Sequence, residues 1–225
     1  MHTHIGLDGP AGAGKSTIAK AVAKKLNIPY LDTGAMYRTL ALFALRNEVD
    51  PNDADGVTRL LKDADICVEY CNGSQRMFLN GKDVTDLLRT ETLSKGASDI
   101  GVHAQVREKL VKLQQRIADK GSIVMDGRDI CTVVMPLAEH KFFITASARV
   151  RAERRLKELI KKNQPQVSLD EMEKSILERD HLDTTRDCGP LKKAQGALVI
   201  DTTDKSIEES VEAVLSAIRS KSRGD

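Results

Sequence analysis

Apolar residues follow two rhythms along this chain. HIGLD (4–8) and IPYLD (28–32) are short apolar runs of strand length. Between them Ile18, Val22 and Leu26 recur every four residues and predict a helix from Ser16 to about Leu26. A second helix is predicted over 34–47, with Met36, Leu40, Phe43 and Ala44 on one side. A β-α-β-α opening implies a parallel sheet covered by helices. The rhythm then changes. A short helix is predicted over 53–64, followed by brief β-like runs in 66–84 separated by two Asn-Gly pairs. Asn-Gly accepts the positive φ angles of tight hairpins, so this stretch predicts a small three-stranded antiparallel insert.

Helices are predicted to resume at 91–100 and 104–120, the second ending on Gly121 as a left-handed cap. The first rhythm returns with SIVMDGRD (122–129), an apolar strand running into a polar loop, and with HKFFITA (140–146). A basic helix is expected over 149–162, a break at NQPQV (163–167), and a helix over 168–180 opened by a capping box at Ser168 and Glu171. GALVIDTT (196–203) predicts the last strand. Ser206 and Glu209 form a second capping box before an amphipathic terminal helix. The sum is five core strands with two excursions, near 37–120 and 149–190.

The 225 residues, 40% of them hydrophobic, suffice for one sizeable core. With 35 basic and 33 acidic residues the net charge is +2, which argues for neither a nucleic-acid nor a membrane partner. The charge is unevenly placed. RVRAERRLKELIKK (149–162) is basic and 48–65 is acidic. That helix reads either as a solvated face or as a surface near phosphate. Cys67, Cys71, Cys131 and Cys188 lack zinc-ligand spacing and read as reduced thiols in small core positions. There is no signal-like pattern in MHTHIGLDG and no apolar run of bilayer length, so a cytoplasmic protein is expected. No stretch resembles a large apolar interface, and a monomer is expected.

The chemistry starts at GLDGPAGAGKST (6–17). Gly9, Pro10, Ala11, Gly12, Ala13, Gly14, Lys15 and Ser16 fit G-x-x-x-x-G-K-[ST] between a predicted strand and a predicted helix. Glycines let consecutive backbone N–H groups turn toward phosphate oxygens, and the helix N-terminus adds partial positive charge. Lys15 can reach the β and γ phosphates, and Ser16 can offer its hydroxyl to Mg²⁺. Thr17 completes the ATP-binding stretch. The motif implies a nucleoside triphosphate but not an acceptor. No base-reading [NT]-K-x-D segment of GTPases is present, and DADG (53–56) falls outside the core strands. The cradle alone also allows a non-catalytic ATP-dependent switch or scaffold protein.

Three further segments are placed at the carboxyl rim of the predicted sheet, where ligands sit in open parallel sheets. LDTGAMYR (31–38) offers Thr33, Tyr37 and Arg38. MDGRDI (125–130) offers Arg128 and Asp129. ERDHLDTTRD (178–187) offers Arg179, Asp183 and Arg186 on one helical side. Taken singly they read as a helix cap with surface residues, a buried ion pair and a salt-bridge ladder. Joined to one cradle, they suggest a site for a second anion.

DGPAGAGKST, YLDTGAMYR, GASDIGVHAQVRE, VMDGRDI with TVVMP, and ERDHLDTTR, in this order and spacing, resemble the bacterial cytidylate kinases among the nucleoside monophosphate kinases. The resemblance covers nearly the whole chain. It implies a P-loop NTPase three-layer α/β fold with a five-stranded parallel sheet, a monophosphate-binding insert with a small antiparallel sheet, and a helical lid. The implied divisions are core at 1–36, 121–148 and 189–225, monophosphate domain at 37–120 and lid at 149–188. The implied reaction is Mg²⁺-dependent, in-line phosphoryl transfer from ATP to CMP or dCMP. Thr33, Tyr37, Arg38, Arg128 and Arg186 are implied to hold the acceptor phosphate. Ser98, Arg107 and Asp129 are implied to read cytosine, and Arg179 and Asp183 to hold the sugar. Lys15, Arg128 and Arg186 are the implied catalytic cations, and Ser16 the Mg²⁺ contact, mostly through water. Arg151, Arg154 and Arg155 are lid candidates for ATP phosphates, and spacing does not choose between them. Some relatives carry further arginines between Arg179 and Arg186, where this chain has His181, Leu182, Thr184 and Thr185.

Overall fold

The computed structural model describes residues 2–71, 73–161 and 167–221. Asn72 of the first Asn-Gly pair, the end of the predicted basic helix and most of the predicted break at 163–167 lie outside the described residues. In chain order the elements are β1 (His4–Asp8), α1 (Lys15–Leu26), β2 (Tyr30–Asp32), α2 (Thr33–Arg46), α3 (Ala54–Leu60), β3 (Ile66–Cys71), β4 (Ser74–Leu79) and β5 (Lys82–Asp83). There follow α4 (Glu91–Ile100), α5 (Ala104–Ala118), β6 (Ile123–Gly127), β7 (His140–Thr145), α6 (Ala148–Lys161), α7 (Leu169–Thr185), β8 (Leu198–Asp201) and α8 (Ile207–Lys221).

Five strands form one parallel sheet in the order β2-β6-β1-β7-β8. From β1 the chain crosses past the place of β6 to β2, and later strands fill both sides of β1. This reversal of direction opens a crevice at the carboxyl ends, beside β1. The register brings the polar strand ends level: Leu7 pairs with Asp126, Asp126 with Asp32, and Asp8 with Gly127. Strand alternation sorts the core onto two faces. Ile5, Leu7, Val124 and Ile144 pack with α1 and α8 through Val22 and Val214. Leu31, Ile123 and Met125 pack on the other face with Met36, Leu40, Val106 and Leu110 of α2 and α5. Each such fully buried side chain contributes about 1.5–3 kcal/mol. At Gly6 any Cβ would lie 2.6 Å from Cys131 Sγ, so the strand can pack there only without a side chain.

The antiparallel sheet has the order β3-β4-β5. Its second turn carries Asn80 and Gly81 at φ 48° and 75°, the twist that Asn-Gly favours, and Asp65 and Asn80 clasp it through the Asp65 N–H to Asn80 Oδ1. Helices α6 and α7 pack on each other through Ala152, Leu159, Met172 and Ile176. Both capping boxes form, at Ser168–Glu171 and Ser206–Glu209.

Four expectations are corrected. Gly121 is not a left-handed cap: α5 stops at Ala118, Asp119 caps it in right-handed geometry, and Gly121 lies beyond with φ outside the positive range. The helix expected to end at 180 continues to Thr185, because Thr184 and Thr185 hydroxyls bond the carbonyls of Asp180 and His181 and Asp183 is anchored in the interior. Of the cysteines only Cys131 is in the core. Cys67 and Cys71 lie exposed on β3, Cys188 is half-buried, and all four are free thiols. Strands β2 and β8 are shorter than the runs that predict them, beginning at Tyr30 and Leu198. Among the described residues no helix is long and apolar enough to cross a membrane.

Candidate active site

The loop between β1 and α1 is shaped by glycine backbone. Gly9, Gly12 and Gly14 have φ 147°, 75° and 86°, and Gly14 caps α1 in the left-handed region. A Cβ at Gly9 would collide with the Ile144 carbonyl, so the loop can press on β7 only with glycine there. Lys15 is buried and folds back, its Nζ donating to Pro10 O at 2.6 Å. Burial and the Arg128 cation push its pKa down. Ser16 Oγ donates to Asp126 Oδ2 at 2.8 Å, and Tyr30 OH donates to Asp126 Oδ1 at 2.5 Å. Asp126, at the end of β6, is itself buried, and that burial raises its pKa, with the nearby Asp32 adding to it. A cation at Ser16 and Asp126 would favour its charged form.

The loop ends are latched from both sides. Thr202, just after β8, places Oγ1 3.2 Å from Ala13 O, and Arg154 holds Thr202 through Oγ1 and O at 3.0 and 2.6 Å. Arg151 is buried beneath the loop. Its Nη1 donates to Ala11 O at 3.1 Å, its Nε to Ala146 O at 2.9 Å, and its Nη2 pairs with Asp180 at 2.6 Å.

Facing the loop is a set of arginine–aspartate pairs. Asp32 caps α2 through the Ala35 N–H and pairs with Arg38 at 2.8 Å. Thr33 Oγ1 donates to Asp126 O at 2.7 Å. Arg107 of α5 forms a close ion pair with Asp129, both only 5% exposed, and reaches Tyr37 OH at 3.4 Å. Burial raises the Tyr37 pKa to about 12, so its hydroxyl stays protonated. Arg128 Nε pairs with Asp183 at 2.7 Å, and Arg186 lies 3.7 Å from the same carboxylate. Burial acts to raise Asp183, but Arg128, Arg179 and Arg186 outweigh it and hold it below the usual range.

These groups line one cavity of about 660 Å³. It contains Ala11 to Thr17 of the loop and Thr33, Tyr37, Arg38, Ser98, Arg107, Arg128, Asp129, Arg154, Arg155, Arg179, Asp183 and Arg186. Gly9, Pro10 and Arg151 stand behind the wall. The cations outnumber their partners. Arg179 Nε is buried without a hydrogen-bond partner among the described residues, and burial with the neighbouring Arg128 pushes its pKa down to about 10. Burial and Arg107 likewise depress Arg186. Crowded, desolvated cations of this kind are relieved by a bound anion. The cavity therefore holds an amide-lined phosphate cradle at one end and an arginine cluster at the other.

Sequence reading passed over Asp126, although an apolar strand ending in Asp was its visible signal. It also passed over Thr202 and Lys205, which line the cavity, while Lys157 and Lys161, which line it too, were noted only as part of the basic stretch 149–162. No local pattern marks Thr202 or Lys205, because α6 and the segment after β8 meet only in the fold.

The family model described as cytidylate kinase matches residues 5–220. A cytidylate kinase of Carboxydothermus hydrogenoformans is 48% identical over 217 residues, covering 96% of this chain and 97% of its own. One of Bacillus subtilis is 47% identical over 219 residues, with 97% of each chain covered. A shikimate kinase structure from Bacteroides thetaiotaomicron shares the fold at 19% identity and a TM-score of 0.52, covering 97% of this chain and 99% of its own. The chain belongs to the cytidylate kinase family and is a kinase.

Proposed function

We propose that this kinase transfers the γ-phosphoryl group of ATP to CMP or dCMP, giving ADP and CDP or dCDP. The supporting observation is the single cavity with a phosphate cradle at one end and arginine–aspartate pairs at the other. The backbone N–H groups of the loop and Lys15 would bind the ATP phosphates. Thr33, Tyr37, Arg38, Arg128 and Arg186 would bind the acceptor phosphate, and Arg179 and Asp183 the sugar. Ser98, Arg107 and Asp129 would read cytosine, whose amino donor suits a carboxylate and hydroxyl and whose acceptors suit a guanidinium. Uracil presents a carbonyl in place of the amino group and leaves acceptors unpaired, costing about 1–3 kcal/mol per buried group.

The acceptor phosphate is already an anion, so no general base is required. Positioning the two phosphates in line and neutralising charge on the group in transit, by Lys15, Arg128 and Arg186, would carry most of the catalysis. The hard oxygen donors at Ser16 and Asp126 fit Mg²⁺ brought in with the ATP phosphates. Bound there, Mg²⁺ neutralises phosphate charge. Arg154 and Arg155, which line the cavity, are the stronger lid candidates for ATP phosphates. Arg151 is engaged by Ala11 and Asp180. In this reading residues 1–36, 121–148 and 189–225 are the core, 37–120 the monophosphate domain and 149–188 a lid that excludes water. The enzyme would act as a cytoplasmic monomer.

A coupled ADP-release assay with ATP and Mg²⁺ over CMP, dCMP, UMP, AMP and GMP tests the proposal. CMP and dCMP should lead. Faster turnover of AMP or GMP rejects it, and ATP hydrolysis with no acceptor would instead indicate a switch protein.

A further inference from the structure

Strand β2 is an edge of the parallel sheet, and its outer backbone groups need partners. At Asp32 a side chain supplies them. Gln75 of β4 accepts the Asp32 N–H through Oε1 at 2.7 Å and donates Nε2 to Asp32 O at 3.3 Å. The same Nε2 lies 3.0 Å from Met77 Sδ, which holds the amide in orientation. One carboxamide thus mimics a strand residue and fastens the antiparallel sheet to the core sheet.

The residue it grips is the anchor of Arg38. Asp32 Oδ1 caps α2 through Ala35, and Oδ2 holds Arg38 Nη2 at 2.8 Å. Arg38 Nε is buried with no hydrogen-bond partner among the described residues, so the guanidinium is oriented from the Asp32 side. Asp32 and Arg38 line the active-site cavity and also a second cavity of about 780 Å³ on the far side, which Gln75 borders. Gln75 borders only the second cavity, so it holds Asp32 from the side away from the active site.

The geometry points to Gln75 as a positioning residue for the acceptor phosphate. It reads the Asp32 backbone and through the Asp32 carboxylate sets Arg38 toward the cavity. This rests on the reading above that Arg38 binds that phosphate.

The test is Gln75→Met, which keeps length and packing and removes both bonds to Asp32. The KM for CMP should rise about three- to tenfold, the worth of about one neutral hydrogen bond. The KM for ATP should stay within about twofold on the same scale. Inhibition by cytidine, which lacks the phosphate, should be unchanged. In an Arg38→Ala background Gln75→Met should add nothing. A thermal melt of each variant confirms that it is folded. An unchanged KM for CMP, an equal change for ATP or cytidine, or a full effect persisting without Arg38 overturns the inference. Turnover of CMP by the unsubstituted protein is the control. Its absence rejects the proposed reaction and this inference with it, whereas an active protein indifferent to Gln75→Met rejects the positioning role alone.

Discussion

Replacing Asp129 by Asn tests the interior of the site most directly. Arg107 and Asp129 are each 5% exposed and form a close pair, and the only other hydrogen bond drawn by the Arg107 guanidinium within the described residues is the long one to Tyr37 OH at 3.4 Å. Asn keeps the shape and one acceptor but removes the charge. Breaking a buried pair from one side costs about 3–5 kcal/mol, because the remaining charge stays desolvated. For a chain of this size each kcal/mol lowers Tm by about 2–4 °C, so the melt should fall by about 6–20 °C. The second effect is on the base. With Asp129 in the proposed base-reading role, losing its carboxylate should erode the CMP-over-UMP preference in kcat/KM by about 5- to 150-fold, the equivalent of 1–3 kcal/mol. The KM for ATP, whose cradle lies at the other end of the cavity, should be nearly unchanged. Differential scanning fluorimetry and the coupled assay with CMP and UMP read the two effects separately. A folded variant with an intact CMP/UMP ratio would refute the base-reading role, and an unshifted melt would refute the buried pair.

Three further outcomes follow from how deeply each charge is buried. Arg151→Met should lower the melting temperature without any nucleotide present, by an amount equivalent to about 3–5 kcal/mol, because it strips Asp180 of its cation and Ala11 O of its donor. Arg155→Met removes partly exposed pairs to Glu91 and Glu158 and should cost about 1 kcal/mol or less; equal melts for the two variants would contradict the placement of Arg151. Asp8 carries a pKa raised from 3.8 to about 6 by burial, despite accepting the Cys131 and Ile130 N–H groups at 2.8 Å. The folded state holds this proton more tightly, so the contribution of Asp8 to stability is full below pH 3.8 and is lost as pH rises through about 6, by about 3 kcal/mol. Urea unfolding of the wild type and Asp8→Asn from pH 4 to 8 should show the wild type losing ground across that window, and a pH-independent difference would disprove the shift.

How much of this was legible beforehand depends on how local the signal is. Hydrophobic spacing, Asn-Gly turns, capping boxes and the glycine–lysine loop are written in a few consecutive residues. The order of elements, the antiparallel insert and the phosphate cradle could therefore be read directly. The rim segments around Thr33 and Arg128 could be nominated too, because strand ends point to one edge of a parallel sheet, and Arg186 through its helical spacing with Arg179 and Asp183. The family resemblance nominated Ser98 and Arg107, which look like ordinary helix surface when read alone.

Partnership was not legible, since it depends on which distant segments the fold makes neighbours. Arg151, Arg154 and Arg155 share one basic helix, and spacing treats them alike. Packing of α6 beneath the loop buries Arg151 against Ala11 and Asp180 and turns Arg154 and Arg155 to the cavity. Cys67 and Cys131 are equally apolar on paper, but one lies exposed on β3, an outer strand of the antiparallel sheet, and the other fills the space left by Gly6. Gln75 and Asp32 are 43 residues apart, and only docking of the antiparallel sheet against β2 joins them. The sequence by itself determined the cradle and the elements around it, because backbone conformation and helix or strand periodicity are set by adjacent residues. The tertiary structure alone decided which charges are buried, which are paired and which face the cavity, because desolvation and ion pairing act through space between residues far apart in the chain.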